Sequence, residues 1–363
     1  MRIAQISTVA TPVREHGSGS IETLVWLLGR ELTRRGHEVT TFAAAGSEPC
    51  GELVATLPGT YGKNGSPGDW QLCEWINLCR AVEESGRFDV LHSHVYLWGL
   101  PLDRLARAPM VHTLHVTPYE QEARLWALAT VGCVTGPKSD EAGASPVHGT
   151  GNAPYFPNVT AISRYQWSAY PEFKPCAVIH HGIDTAQFPF QAQAEDYVCY
   201  LGRFLGGKGP LQAVKTARAL GLCVKLAGPR SDYFKKHIEP LVDGKSVEYL
   251  GFISGPEKSR LLGSARALLY PIQCPEPFGL VMIEAMMCGT PVAAIGLGAV
   301  PEIVDEGITG SCAESSMEDF GQTVMRAMIL DRRRVRARAE KRFSCSRMAA
   351  EYVQVYERLV RGS

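Results

Sequence analysis

From Arg2 to Leu114, and again from Tyr197 to Ile295, short apolar runs alternate with longer stretches in helical register. In the first series Arg2–Ser7, Glu38–Ala43, Phe88–His92 and Met110–Leu114 read as strands, continued by Val159–Ile162 and Ala177–Ile179, with helices over Ile21–Arg35 and Trp70–Glu84. In the second, strands are expected at Tyr197–Gly202, Cys223–Ala227, Val247–Leu250, Ala267–Tyr270 and Pro291–Ile295, with helices over Gly209–Leu220 and Glu257–Ala265. Strands separated by helical patterns join through right-handed crossovers into parallel sheets. The chain is therefore expected to be α/β, two doubly wound domains in tandem, and in such sheets ligands bind beyond the carboxyl ends of the strands. The polar, aperiodic segment Asp184–Asp196 is the expected linker, placing the first domain at 1–190 and the second at 191–345. Thr135–Asn158, rich in Gly, Pro and Ser, reads as a long surface loop.

Composition narrows the function classes. With 37 basic and 37 acidic residues the formal net charge is zero, so no global field favours nucleic acid. The local exception, Asp331–Arg342, reads as the solvated face of a helix, with peripheral membrane contact as its sharper alternative. The 11 cysteines show no C-x-x-C pairing and several sit in apolar runs, as expected of buried thiols in a reducing, cytoplasmic setting. No apolar run approaches 18 residues, so no transmembrane segment is expected.

The richest segment for chemistry is Glu276–Val292, EPFGLVMIEAMMCGTPV. Pro277 and Gly279 punctuate the entry to an apolar helix that Gly289 stops and Pro291 follows. Glu276 and Glu284 stand eight positions apart, roughly 12 Å along the axis if the whole span were helical. A helix N-terminus flanked by carboxylates suits an anion that carries hydroxyls on both sides, such as a sugar–diphosphate–ribose ligand.

Other loops offer supporting groups. Leu201–Gly209, LGRFLGGKG, sets Arg203 and Lys208 five apart around a glycine pair, a cation pair suited to a diphosphate. The loop before the first helix, with Gly17, Gly19 and Ser20, lacks the third glycine of a dinucleotide fingerprint because Glu22 stands there, which disfavours nicotinamide binding. His92 and His94 leave one strand end on one face, and His115 ends another strand that contains His112, but no third ligand at metal spacing accompanies them, so no metal is expected. Glu302 in GAVPEIV reads as a helix-start carboxylate. A serine-nucleophile motif and a complete Walker loop are both absent.

Taken in order, GSIETLVWLLGRELTRRGHEV, FDVLHSH, VHTLH, VIHHGID, YLGRFLGGKGPLQAV, VEYLGFIS and EPFGLVMIEAMMCGTPVAA with GAVPEIV resemble the retaining glycosyltransferases of family 4, over nearly the whole chain. The resemblance implies the GT-B fold: two Rossmann-like domains facing across a cleft, with 346–363 packing back on the first. It implies that Arg203 and Lys208 hold the donor diphosphate and that Glu276 bonds the transferred sugar. Backbone N–H groups of Phe278, Gly279 and Leu280 would lie nearby, and Glu284 would hold the ribose. Gly202 would belong to the donor loop, Phe252 and Ile253 would line the base pocket with Gly251, and His115 would lie close to the donor sugar. Gly19 matches the first glycine of the family's loop near the phosphate and acceptor. Ser20 departs from its second glycine, and with His94 it is placed on the acceptor side.

The expected reaction is metal-independent transfer of a hexose, with retention, from a nucleotide-sugar to a small-molecule or glycan acceptor; no cofactor is expected. UDP-sugars are favoured, GDP-mannose second. A sugar-nucleotide epimerase, a phosphorylase on the same fold, and a non-catalytic sugar-nucleotide-binding protein are the alternatives.

Overall fold

The structure is a computed structural model that describes residues 1–17, 19–61, 69–117, 121–122, 158–168, 175–314 and 319–362. The stretch read as a surface loop lies outside these residues except for Asn158. The chain forms two units: Met1–Ala161, Gln166–Val178 and Gln354–Ser363 make the first, and Ile162–Tyr165 with Ile179–Val353 the second.

In the first unit the described strands are β1 (Arg2–Ile6), β2 (Glu38–Ala44), β3 (Glu52–Leu57), β4 (Val90–Ser93), β5 (Met110–Leu114), β6 (Asn158–Ala161) and β7 (Ala177–Val178). They pair in parallel in the order β3-β2-β1-β4-β5-β6-β7. The central strands are buried on both faces, which explains why they read as unbroken apolar runs. Helix α1 (Ser20–Arg34) turns Leu24, Val25, Leu27, Leu28 and Leu32 inward. Helix α2 (Trp70–Glu83) starts on Asp69, whose carboxylate accepts from Leu72 N at 3.1 Å. Leu78 and Ala81 of α2 close a core with Ile6, Phe42, Leu91 and Met110. A short helix α3 (Arg164–Ser168) follows β6.

The second unit carries β8 (Val198–Leu201), β9 (Val224–Ala227), β10 (Val247–Tyr249), β11 (Leu268–Tyr270), β12 (Val292–Ile295) and β13 (Gly310–Ala313), all parallel, in the order β10-β9-β8-β11-β12-β13. Its helices are α4 (Pro210–Ala219), α5 (Asp232–His237), α6 (Gly255–Ser264), α7 (Leu280–Met287), α8 (Val300–Ile303), α9 (Phe320–Met328) and α10 (Arg332–Phe343). A last helix, α11 (Cys345–Gly362), runs from the second unit into the first. Two apolar layers sandwich the sheet, one around α7 and the other around α4 and α9. Both orders place the first strand of each unit centrally, and the crossovers deliver the loops after β1, β4, β8 and β11 to the carboxyl ends of the sheets.

Three expectations change. The segment Asp184–Asp196 is not a spacer: Phe188 is buried in the second core, Gln191 N donates to Cys288 O at 3.0 Å, and Glu195 N donates to Ser264 O at 2.7 Å. The main segment of the second unit accordingly starts at Ile179 rather than 191, and the return to the first starts at Gln354 rather than 346. The arginine-rich stretch is the expected helix, α10, and Arg333, Arg334, Glu340 and Lys341 lie on its exposed face, but its other arginines turn inward. Arg332 donates to the carbonyls of Gly263, Ala265 and Gln191, Arg336 to those of Phe188 and Met287, and Arg342 to those of Ile303 and Glu302. Orphan carbonyls at helix ends need such donors. Finally, α7 begins only at Leu280, so Glu276 sits in the loop before it and not two turns below Glu284 on one helix.

Candidate functional site

Most of the residues expected to carry chemistry lie on loops at the carboxyl ends of the second sheet. Gly202 directly follows β8, donating its N–H to Ala227 O at 3.1 Å. Arg203 follows, exposed, its backbone carbonyl held by the Tyr200 hydroxyl at 3.0 Å. A single 3-10 turn, Gly206–Lys208, then aims Lys208 inward. Lys208 Nζ pairs directly with Glu276 Oε1, and both side chains are largely buried. The other carboxylate oxygen, Oε2, accepts from the Tyr270 hydroxyl at 2.7 Å. Burial and the adjacent carboxylate push the Tyr270 phenol well above its ordinary value, so it remains a proton donor.

The loop from Glu276 to α7 is braced from behind. Gly298 adopts φ 62°, and a Cβ there would lie 2.5 Å from both N and O of Glu276, so only glycine lets the two loops close. Ala299 N donates to Glu276 O at 2.9 Å and secures the same approach. Phe278 is buried beneath the loop, its ring edge-on to His181 at 4.8 Å and packed against Phe343. Gly279, in the left-handed region at φ 92°, caps α7. Leu280 opens the helix, and the first N–H groups of a helix have no intrahelical acceptor. The positive end of α7 therefore stands in the same loop as the Lys208–Glu276 pair.

Glu284, one turn into α7, is ion-paired with Lys258 of α6 at 2.7 Å, while Lys258 lies over the Phe188 ring at 5.3 Å. Lys258 was not singled out in the sequence because its partner is 26 positions away. Ile253 packs half-buried against the second core, whereas the Phe252 side chain is 67% exposed in the loop after β10. Glu302 accepts from Arg164 N and Tyr165 N at 2.8 and 3.3 Å and pairs with His180 at 2.7 Å, so it caps α3 rather than its own helix.

The first unit holds two further groups. At the ends of β4 and β5, His94 Nδ1 meets His115 Nε2 at 2.9 Å and His94 Nε2 meets Gln5 Oε1 at 2.7 Å. The Gln5 amide nitrogen donates to Tyr356 Oη at 3.3 Å, and that hydroxyl meets His92 Nδ1 at 2.6 Å. His92 Nε2 meets Thr113 Oγ1 at 2.7 Å. With the Gln5 oxygen accepting, His94 carries its proton on Nε2, His115 donates from Nε2, and His115 Nδ1 is the acceptor nitrogen. Burial holds the His92 ring far below, and pushes the His115 ring down to about 3 from, the usual imidazole range. The ring nitrogens of His92 and His94 are thus spoken for by hydrogen bonds. Among the described residues no group of three or more His, Cys, Asp or Glu side chains is placed to hold a metal ion.

The second group surrounds the start of α1. Gly19 is its N-cap and Ser20 its first residue. A Cβ on Gly19 would lie 2.0 Å from the Glu22 carboxylate and 2.3 Å from Thr11 Oγ1, so a side chain there would have to displace both groups. Glu22 accepts from Thr8 Oγ1 at 2.9 Å and Thr11 N at 3.1 Å. Beside it Glu74 accepts from Val9 N at 3.1 Å, and burial pushes its carboxyl up to about 8. The glycine motif was legible in the sequence; the paired buried carboxyls beneath it were not.

Comparison with known proteins places this arrangement. Residues 184–342 match the family described as Glycosyl transferases group 1, and residues 21–143 match Glycosyltransferase Family 4. Among curated relatives, the D-inositol 3-phosphate glycosyltransferase of Mycolicibacterium smegmatis is 27% identical, the alignment covering 91% of this chain and 84% of that one. Its counterpart from Mycolicibacterium gilvum is 28% identical over 89% and 81%. Among solved structures, the sucrose-phosphate synthase of Thermosynechococcus elongatus superposes with a TM-score of 0.75 at 21% identity, over the full length of both chains. AviGT4, a glycosyltransferase involved in avilamycin A biosynthesis, gives 0.71 at 23%, covering 100% of this chain and 99% of that one. The Anabaena protein HepE, solved with UDP and glucose, gives 0.70 at 18%, over 99% and 100%. With the two family models matching residues 21–143 and 184–342 and the fold shared with GT-B enzymes, the chain belongs to the family 4 glycosyltransferases.

Proposed function

We propose that this protein transfers a hexose from a nucleotide-sugar, UDP-linked in preference to GDP-linked, to an acceptor hydroxyl with retention of configuration and without a metal. The observation that carries the proposal is the Lys208–Glu276 pair set beside Arg203 and the N-terminus of α7. In the free protein Lys208 and Glu276 neutralise each other. An arriving diphosphate offers Lys208 a stronger counter-charge, with Arg203 and the first N–H groups of α7 completing an anion site. Glu276 Oε1 is then released to accept from a hydroxyl of the transferred sugar, and Glu284 takes the ribose.

As the glycosidic C–O bond breaks, negative charge grows on the diphosphate, where Arg203, Lys208 and the helix dipole stabilise it in the role a metal plays elsewhere. The acceptor hydroxyl attacks from the leaving-group side, and its proton passes to the departing phosphate oxygen. His115, neutral at working pH, offers Nδ1 to a sugar hydroxyl and takes no part as an acid. The preference for UDP is supported by HepE, which was solved with UDP and glucose. The names of the curated relatives make a phosphorylated polyol the first acceptor to try.

The test is direct. Glu276→Ala and Arg203→Ala should each lower transfer by about a hundredfold or more, the scale for losing one preorganised transition-state contact, while circular dichroism stays native. Near wild-type turnover in both variants sinks the assignment.

A further inference from the structure

Two buried tyrosines sit on adjacent strands beneath the candidate donor loops, their side chains on opposite faces of the sheet. Tyr200 near the end of β8 holds the Arg203 carbonyl at 3.0 Å, and Tyr270 at the end of β11 holds Glu276 Oε2 at 2.7 Å. The two oxygens of Glu276 therefore have partners of different kinds. Oε1 faces Lys208, a mobile cation that a diphosphate would draw away. Oε2 faces a neutral phenol anchored in the sheet, which no incoming anion competes for. The same hydroxyl lies 2.7 Å from where a Cβ on Gly279 would stand, so it is lodged between the carboxylate and the cap of α7.

We infer that Tyr270 is a positioning residue for the donor sugar: it pins Glu276 through Oε2 so that Oε1, once Lys208 has left, points at a sugar hydroxyl. This rests on the donor-site reading above. The argument is geometric. A carboxylate held at only one oxygen by a flexible lysine loses its orientation when that lysine turns to phosphate. A second, fixed hydrogen bond removes that freedom in advance, and the ordering is already complete when the ligand binds. Burial keeps the phenol protonated, so it remains a hydrogen-bond donor to Oε2.

The inference separates sugar recognition from diphosphate recognition, and Tyr270→Phe tests it. The probes are UDP and UDP-glucose, with GDP and GDP-mannose alongside, and binding is measured by calorimetry. In the wild type the sugar nucleotide gains affinity over its own diphosphate through Glu276. Tyr270→Phe should reduce that gain, and turnover, by roughly tenfold to a hundredfold, the range for a hydrogen bond to a charged group. Affinity for the diphosphate alone should not change. An unaltered sugar increment overturns the inference. So does equal weakening of diphosphate and sugar nucleotide, because a loosened loop around Gly279 would act on both. Glu276→Ala, run in parallel, distinguishes the two levels. If it too leaves sugar binding and turnover intact, the donor-site reading falls. If it abolishes them while Tyr270→Phe does not, only the role of Tyr270 falls.

Discussion

At the scale of single residues, this protein stores charge in buried places and neutralises it locally. Glu74 shows what that costs. Its folded value of about 8 lies above the 4.5 of a free carboxyl, so between these values the folded chain holds a proton that the unfolded chain lacks. Folding stability from this group is complete below pH 4.5 and is lost as the pH rises towards and through 8. Glu74→Gln, which mimics the protonated form and does not titrate, should match the wild type in urea melts at pH 4. It should become more stable as the pH rises, by on the order of 1.4 kcal/mol per pH unit across that window. Parallel pH profiles for the two proteins would rule out Glu74 as the source. His115 behaves oppositely. With its ring neutral far below physiological pH, His115 should contribute no step to the activity profile between pH 5 and 9, and any step found there has another origin.

At the scale of elements, α10 shows how an arginine-rich helix can be structural. Its cations reach carbonyls left open at the ends of α6 and α7, and Arg336 alone joins Met287 to Phe188. Arg336→Ala should cost roughly 2–4 kcal/mol, because two buried acceptors lose a charged donor and the aliphatic stem loses its packing; chemical denaturation measures it, and a cost within a few tenths would place the residue on a solvated face after all. The same helix explains the reach of sequence reading. Central strands such as Met110–Leu114 were legible because burial on both faces writes itself as an apolar run. β13, Gly310–Ala313, was not, since GSCA has no β-branched or aromatic residue to mark it. The segment before β8 was misread because single anchors such as Phe188 are diluted by polar neighbours. At the site, Arg203, Lys208, Glu276 and Glu284 were legible as charges in turn contexts. Tyr270 and Lys258 were hidden, one inside a strand's apolar run and the other on a helix far along the chain from its partner.

At the scale of the whole molecule, the residues proposed for the nucleoside diphosphate itself belong to the second unit, from the Arg203–Lys208 loop to Glu284. Binding energy for a nucleoside diphosphate should then appear there and nowhere else. A ligand at 100 times its dissociation constant adds about 2.7 kcal/mol to the stability of the state that binds it. In hydrogen exchange with UDP, amides around 202–209, 251–253 and 276–284 should slow, while those of β1, β2 and α1 keep their unliganded rates. Because Arg203, Lys208 and the end of α7 supply the positive charge, the same protection and the same transfer rate should persist after exhaustive treatment with EDTA. Loss of both with EDTA, restored by magnesium or manganese, would show that the diphosphate needs a metal bridge. The cations of the 203–208 loop would then be auxiliary, and the Lys208–Glu276 pair a structural contact rather than a donor-site switch.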